Sequence, residues 1–192
     1  ISDICISWLG SFCPYERCIA LMFFTGRRET EVLKTGEIKA TRKSSTTALF
    51  TGQLKKRQGE EKPLFIEVEN RMKVIKSLRE MRELFPEFAN LDNEAVNKKA
   101  NRPLSEVMYK LFNKVNWLQR TKTMNRGSYK GVKKTEVVPD VHPHDLRKIY
   151  IAYHSANFQG TESQKQAFIQ ELLGHDERAL KALSHYGNWQ II

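Results

Sequence analysis

The stretch that decides the fold is Leu172-Leu173-Gly174-His175-Asp176-Glu177-Arg178, which continues as Ala179-Leu180-Lys181-Ala182-Leu183-Ser184-His185-Tyr186. The glycine is typical of a helix end, a histidine follows it, and a tyrosine comes eleven residues after the histidine. Alone, this is a short amphipathic segment. Two upstream segments, Thr25-Gly26-Arg27-Arg28 and His144-Asp145-Leu146-Arg147, add arginines whose planar forks suit a phosphate. Together these segments indicate a tyrosine nucleophile beside a phosphate-binding site.

Length and charge limit the function classes. The 192 residues include 32 Lys and Arg against 22 Asp and Glu, which gives a net charge of +10. That excess favours a polyanionic partner, either nucleic acid or an anionic membrane surface. No apolar run approaches the roughly 20 residues of a membrane span, and an apolar fraction of 40% argues against a disordered chain.

The first residues of the chain indicate how it relates to a longer protein. The start, Ile1-Ser2-Asp3, has no initiator methionine and no basic segment, so it reads as an internal boundary. We expect residues 1–192 to be a single catalytic domain from a longer protein, without its flanking domains.

The three cysteines, Cys5, Cys13 and Cys18, are odd in number and match no metal spacing. We expect reduced, buried thiols in a cytoplasmic protein.

Hydrophobic periodicity predicts a mainly helical α+β chain. Helices are predicted over residues 1–9, 15–24, 70–84, 93–100, 104–115 and 163–173, with another that opens at Pro143. Residues 36–68 are the one predicted β region, with strands at 36–41, 46–54 and 64–68 in a small antiparallel three-stranded sheet. We assign the apolar stripe of the third helix to the core, namely Met72, Ile75, Leu78 and Met81, with Val74 and Leu84 as further candidates.

An arginine pair, Arg27 and Arg28, lies between a buried helix that Gly26 caps and a new turn at Glu31. Solubility alone explains such a pair poorly. One of the two is expected to be held rigidly from the core toward an anion, because guanidinium donates two parallel hydrogen bonds and keeps its charge. The alternative is a surface pair that bonds Glu29 or Glu31.

Two further cationic segments are candidate DNA contacts. Lys55 and Lys56 lie at the turn between the second and third strands, where a lysine can act as a flexible charge and proton donor; the alternative is a solvated turn that blocks aggregation. Residues 114–134 contain seven basic residues and no acidic one, which predicts a flexible loop that contacts phosphates. A merely solvated loop would normally carry both signs of charge. The candidates in this segment are Arg120, Lys122, Arg126, Lys130, Lys133 and Lys134.

His144 and Arg147 are three residues apart in the first turn of the helix that follows Pro143, so they share a face near its free N–H groups. The rival reading is a metal site of His142, His144 and Asp145, with Asp140. Such a cluster needs further ligands, and few histidines remain downstream, so we expect no metal.

The spacing from His175 to Tyr186 also constrains the site. In one unbroken helix the two residues would be about 16 Å apart, and they could not reach the same phosphate. We expect the chain to bend near Ser184-His185, or the tyrosine to act in the site of another subunit.

The order of these segments resembles the catalytic domain of tyrosine recombinases, and the resemblance spans about residues 16–186. The matching parts are Arg28-x-x-Glu31, a hairpin lysine, His144-x-x-Arg147, Leu173-Gly174-His175 and Tyr186. Within that superfamily the chain is most similar to telomere resolvases (protelomerases), through residues 25–28, 31–36, 49–55 and 146–150. The spacing from His175 to Tyr186, longer than in many integrases, also fits resolvases. The resemblance implies a tyrosine-recombinase-like fold, mainly helical with a small antiparallel sheet.

The resemblance also implies a mechanism. Tyr186 would form a 3′-phosphotyrosine, and Lys55, with Lys56 as rival, would protonate the leaving 5′-oxygen. Arg28 and Arg147 would bind the non-bridging oxygens, His175 would add a hydrogen bond, and His144 is a candidate proton acceptor. No metal or nucleotide cofactor is implied. The implied partner is double-stranded DNA with a palindromic junction, bound by a dimer in a bacterial or phage-infected cell.

Two alternatives remain open from the sequence. One is an ordinary tyrosine recombinase or integrase, with the same chemistry but strand exchange between duplexes. The other is a basic helical DNA-binding module without catalysis, in which the motif matches are accidental.

Overall fold

The computed structural model describes residues 1–42, 44–54, 64–112, 118–123, 132–137, 141–156, 158–173 and 189–191. Its α-helices are α1 (Ser2–Trp8), α2 (Pro14–Thr25), α3 (Arg71–Leu84), α4 (Asn93–Phe112), α5 (Leu146–Ser155) and α6 (Glu162–Leu173). Its strands are β1 (Glu37–Ala40), β2 (Thr47–Thr51), β3 (Leu64–Glu67), β4 (Leu118–Thr123), β5 (Lys133–Val137) and β6 (Trp189–Ile191). A π-helical turn, Glu31–Thr35, joins α2 to β1, and short 3-10 turns, Pro86–Phe88 and Pro143–Asp145, precede α4 and α5.

The predicted three-stranded sheet is confirmed. Strands β1, β2 and β3 pair antiparallel in that order, with Ile38 opposite Phe50 and Ala48 opposite Ile66. These four side chains are buried. Because alternate residues of a strand lie on one face, the sheet places this apolar face on the core. Strand β1 follows the π-helical turn, and β2 runs back antiparallel to it, so that Thr51 lies opposite Glu37.

A second sheet was not predicted from the sequence. Strand β4 lies between β5 and β6, antiparallel to both. Two predictions are therefore wrong over the strand residues. One is that residues 36–68 are the one β region, and the other is that residues 114–134 form a loop. The high charge of the segment masked its Thr-containing strand pattern, and the pairing with β6 joins residues about 70 positions apart in the chain. Lys122 is directly opposite Lys134, and Arg120 is opposite Glu136.

Helix α4 differs from the prediction, which divided it in two near residue 100. The structure has one helix that passes through Pro103. A proline within a helix removes one backbone hydrogen bond, but Ala100, Leu104 and Met108 continue one buried stripe across it. The burial of this stripe stabilises the helix more than the proline destabilises it.

The apolar stripe of α3 is only partly as predicted. Leu78, Met81 and the candidate Val74 are buried, but Met72 is 65% exposed and Leu84 is also exposed. Cys5 and Cys18 are buried as predicted, and Cys13 is half-buried.

Within the described residues, no helix is both long and apolar enough to cross a bilayer.

Candidate active site

A tight turn at Gly26 brings the segment of residues 25–31, the first motif, against helix α5. Gly26 caps α2 in the left-handed conformation, with φ 63° and ψ 18°, and its N–H donates to the Met22 carbonyl at 2.9 Å. A Cβ atom on this residue would lie 2.4 Å from Cδ1 of Tyr150. Only glycine fits such a position, because a side chain would be strained and would clash. The close approach of Gly26 and Tyr150 sets the direction in which the two following arginines leave α2.

Arg28 is held by a bidentate contact with Glu31. Its guanidinium Nη1 lies 2.8 Å from Oε1 of Glu31, and its backbone N–H donates to Oε2 at 3.1 Å. The Glu31 side chain is 1% exposed, whereas that of Arg28 is 20% exposed. The contact with Glu31 was one of the two alternatives from the sequence, but it is not a surface pair. The buried carboxylate fixes Arg28 while leaving part of its guanidinium accessible.

Glu31 also holds the end of the strand that leads to the hairpin lysines. The Leu54 N–H donates to Oε1 of Glu31 at 3.2 Å, and Leu54 directly precedes Lys55. Thr35, at the end of the π-helical turn, donates from its hydroxyl to the Gly52 carbonyl at 2.5 Å. The turn that carries Glu31 is therefore joined to the chain immediately before Lys55.

Arg147 connects the segment of residues 144–147, the second motif, to two distant parts of the chain. It lies in the first turn of α5 and is 2% exposed. Its guanidinium donates to the Gly26 carbonyl at 3.3 Å and to the Leu173 carbonyl at 3.0 Å. The fold thus brings together the first motif, the second motif and the end of α6, which precedes Gly174-His175.

Positive charge exceeds negative charge at this junction. Burial opposes ionisation of Glu31, but Arg27, Arg28 and Arg147 outweigh burial and lower the pKa of its carboxyl. Three guanidinium groups therefore act on one ionised carboxylate. A net positive charge in a partly desolvated site is strongly attractive to an anion such as a phosphodiester.

His144 lies at the N-terminal end of this region with its side chain exposed. Partial desolvation, with the positive charges of Lys148 and Arg147, lowers the pKa of His144. The imidazole is therefore neutral at pH 7 and able to accept a proton. His144 lies in the 3-10 turn directly before α5, three residues from Arg147.

Of the residues of the rival metal site, Asp145 has other partners, and Asp140 lies outside the described residues. Asp145 accepts the His142 N–H at 2.9 Å and pairs with Lys148 at 2.5 Å. Among the residues that the structure describes, no group of three or more His, Cys, Asp or Glu is placed to hold a metal ion.

Several predicted site residues lie outside the described residues. They are Lys55, Lys56, Arg126, Lys130, His175 and Tyr186. The backbone of Arg120 and Lys122 lies in β4, and that of Lys133 and Lys134 lies in β5. Of the six predicted catalytic residues, Arg28, His144 and Arg147 lie within the described residues. The guanidinium groups of Arg28 and Arg147 both act on Glu31, and His144 lies in the turn directly before the helix that carries Arg147.

Sequence reasoning missed the contacts of Arg27 and the bridging contact of Glu31. Arg27 is 2% exposed, and its guanidinium donates to the Thr25 and Leu172 carbonyls. The signal in the sequence was the pair Arg27-Arg28, because solubility alone poorly explains two arginines directly after a buried helix. The sequence did not reveal which arginine faces the core.

Comparison with known protein families adds an independent finding. The family model described as telomere resolvase ResT/TelK catalytic domain matches residues 3–189. The chain belongs to this family of telomere resolvase catalytic domains. Comparison of the sequence with curated proteins gives no significant match.

Solved structures of protelomerases share the fold of this telomere resolvase domain. Protelomerase TelA covalently complexed with substrate DNA is 22% identical, with a TM-score of 0.72, over 97% of this chain and 56% of that one. A TelA variant complexed with DNA hairpin product is 23% identical, with a TM-score of 0.75 and the same coverages. Protelomerase TelK complexed with substrate DNA is 18% identical, with a TM-score of 0.63, over 96% and 35% of the two chains.

These matches confirm the resemblance and the fold class predicted from the sequence. The chain spans about half the length of the TelA chains that it matches.

Proposed function

We propose that this chain cleaves and rejoins DNA at a palindromic junction, through a 3′-phosphotyrosine intermediate, and produces covalently closed hairpin ends. The observation that carries the proposal is the junction of Arg28, Arg147 and Glu31. It joins segments about 120 positions apart into a site with excess positive charge, in a chain of the telomere resolvase family.

The two arginines suit a phosphodiester undergoing substitution. Charge builds on the two non-bridging oxygens as the phosphorus becomes five-coordinate, and preorganised donors stabilise that charge. Arg28 is anchored by Glu31, and Arg147 is anchored by two backbone carbonyls. Neither guanidinium therefore has to reorganise during the reaction.

The remaining roles are assigned to residues by the family resemblance. The Tyr186 oxygen attacks phosphorus, the bond to the 5′-oxygen breaks, and a phosphotyrosine remains on the 3′ side. His144 is the candidate acceptor of the tyrosine proton, and Lys55 (or Lys56) gives a proton to the leaving 5′-oxygen. His175 donates a further hydrogen bond to the phosphate. The chemistry uses these side chains and needs no metal or nucleotide.

Rejoining reverses these bonds with a different 5′-hydroxyl. After two protomers cut both strands of the junction, each 5′-end folds back onto its own duplex and attacks the phosphotyrosine. This releases Tyr186 and closes a hairpin. The cationic residues of the second sheet and its flanks would contact the DNA backbone, namely Arg120, Lys122, Arg126, Lys130, Lys133 and Lys134.

The cellular setting belongs to the same proposal. We infer that residues 1–192 act as one catalytic domain of a longer protein, bound to DNA as a dimer. The cytoplasm of a bacterium or a phage-infected bacterium is the expected location. The reduced cysteines and the net charge of +10 are consistent with this setting.

The test uses a palindromic duplex with a nick near its centre, incubated with the chain and a chelator and without nucleotide. The nick releases a short fragment after cleavage, so the phosphotyrosine accumulates. The expected results are a covalent protein–DNA adduct with this substrate and hairpin ends with the intact junction.

Two tyrosine variants make this test specific. Tyr186→Phe should form no adduct while it retains DNA binding. Tyr153→Phe is the control, because Tyr153 is 51% exposed and its hydroxyl donates to Glu69, which has no assigned role in the site. An active Tyr186→Phe variant would reject this nucleophile. Exchanged duplexes in place of hairpins would support an integrase, and binding without any adduct would support a non-catalytic module.

A further inference from the structure

Arg27 is a buried cation whose contacts all lead to different parts of the proposed active site. Its Nε donates to the Thr25 carbonyl at 3.1 Å, and its Nη2 donates to the Leu172 carbonyl at 2.6 Å. Its guanidinium also lies over the ring of Phe50, 5.3 Å from the centroid. The contacts therefore reach the first motif, the end of α6 and strand β2.

Each contacted segment leads, within a few residues, to a proposed catalytic side chain. Thr25 precedes Arg28 by three positions, Phe50 precedes Lys55 by five, and Leu172 precedes His175 by three. No apolar side chain of similar size would make these contacts, because two of them are hydrogen bonds to carbonyl groups. Burying a guanidinium without such partners would be strongly unfavourable.

The end of α6 is held by two cations rather than one. Arg27 binds the carbonyl of Leu172, and Arg147 binds the carbonyl of Leu173. The last carbonyls of a helix have no partners within the helix and carry partial negative charge. Because Arg147 is also a proposed phosphate ligand, Arg27 is the contact that can fix this helix end independently of the substrate.

We propose that Arg27 is a positioning residue for the cleavage step, which locks the last turn of α6 to the first motif and so sets the start of the segment that carries His175. This inference rests on the proposed function. It assigns Arg27 no contact with DNA, and it predicts that Arg27 acts through His175.

Arg17, which lies in α2, provides a matched control. It is also 2% exposed, and its contacts are with the Ser11 carbonyl at 2.9 Å and with Glu80 at 3.2 Å. None of these partners belongs to the proposed site. Arg17→Met and Arg27→Met both remove a buried guanidinium. A difference between their cleavage rates therefore reflects where the guanidinium lies and not a general loss of stability.

The experiment measures the single-turnover rate of adduct formation on the nicked duplex, with protein in excess and the DNA saturated. We expect Arg27→Met to slow this rate roughly 10- to 100-fold, as loss of a charged hydrogen bond does. DNA affinity should change less than about 3-fold, since the residue is buried. Arg17→Met should retain the rate, and Arg27→Lys should lie between because lysine lacks the planar fork.

A double-mutant cycle with His175→Ala tests the route of the effect. If Arg27 acts through His175, the loss in the double variant should be close to that of His175→Ala alone. Hydrogen exchange of residues 162–173 provides a second measure, which needs no substrate. Exchange in the last turn of α6 should become at least about 10-fold faster in Arg27→Met and stay unchanged in Arg17→Met.

The outcomes separate this inference from the proposed function. A wild-type chain that forms no adduct rejects the proposed function and, with it, the positioning role of Arg27 in cleavage. An active wild-type chain in which both methionine variants slow cleavage equally rejects the role of Arg27 alone. Additive losses in the double-mutant cycle, or unchanged exchange at the end of α6, would also overturn it. If Arg27→Met does not fold, Arg27→Lys and Arg17→Lys give the same comparison.

Discussion

Replacing Glu31 by glutamine tests whether this carboxylate organises the site. The change keeps the shape of the side chain but removes its charge and one acceptor oxygen. In the native protein, Oε1 accepts from Arg28 Nη1 at 2.8 Å and from the Leu54 N–H at 3.2 Å, and Oε2 accepts from the Arg28 N–H at 3.1 Å. A glutamine can supply one of these oxygens, and its amide would then point a donor at another donor.

The expected cost follows from burial and charge. Glu31 is 1% exposed and stands among three guanidinium groups. Removing one partner of a buried ion pair leaves the remaining charge uncompensated and typically costs about 3–5 kcal/mol. We therefore expect Glu31→Gln to lower the free energy of unfolding by about 3–5 kcal/mol at pH 7.

The pH dependence of this cost provides a second test. The pKa of Glu31 is lowered from its ordinary value of 4.5, so its stabilising effect is complete above pH 4.5 and is lost as the pH falls through the folded-state pKa. The glutamine variant lacks this contribution at every pH. The difference in unfolding free energy should be largest at pH 7 and should shrink as the pH falls below 4.5.

Urea unfolding of the wild-type chain, Glu31→Gln and Glu106→Gln measures this prediction. Glu106 is the control because it pairs with Arg102 at 3.0 Å and both side chains are exposed, at 60% and 89%. Its loss should cost less than about 1 kcal/mol, as is usual for an exposed pair. A Glu31→Gln cost below that of Glu106→Gln, or a cost that is the same at pH 7 and pH 4, would refute the reasoning.

Three further predictions concern the elements around the site. Gly26→Ala should lose about 2–4 kcal/mol, because it combines a left-handed backbone with a clash against the Tyr150 ring; an unchanged thermal midpoint would contradict this. Gly52→Ala should lose about 3 kcal/mol or more, since its φ is +80° and a Cβ would lie 1.8 Å from the Thr35 carbonyl oxygen; circular dichroism during heating measures the loss. Desolvation lowers the pKa of His154 from 6.5. The contribution of His154 to the free energy of unfolding is therefore complete above pH 6.5 and is lost as the pH falls through the folded-state pKa. Urea midpoints at pH 7.5 and 5.5 should therefore differ less in His154→Gln than in the wild-type chain.

The local elements near the site were predictable because their causes lie in consecutive residues. The apolar run of α2, the glycine that ends it and the proline that opens the turn before α5 act over a few positions. The first sheet was predicted for the same reason, since its strands follow one another along the chain. Helix α4 was divided wrongly because Pro103 is a local signal that tertiary packing overrides.

The sequence by itself determined the order of the motifs, the excess of positive charge and the family to which they point. Only the tertiary structure decided that Arg28 stays partly accessible while Arg27 turns inward, because this choice depends on the Leu172 carbonyl, 145 positions away. It also decided that Arg147 meets the first motif, across 121 positions. Contacts of this range leave no periodic trace in a single sequence, since each partner is an ordinary backbone carbonyl that any residue supplies.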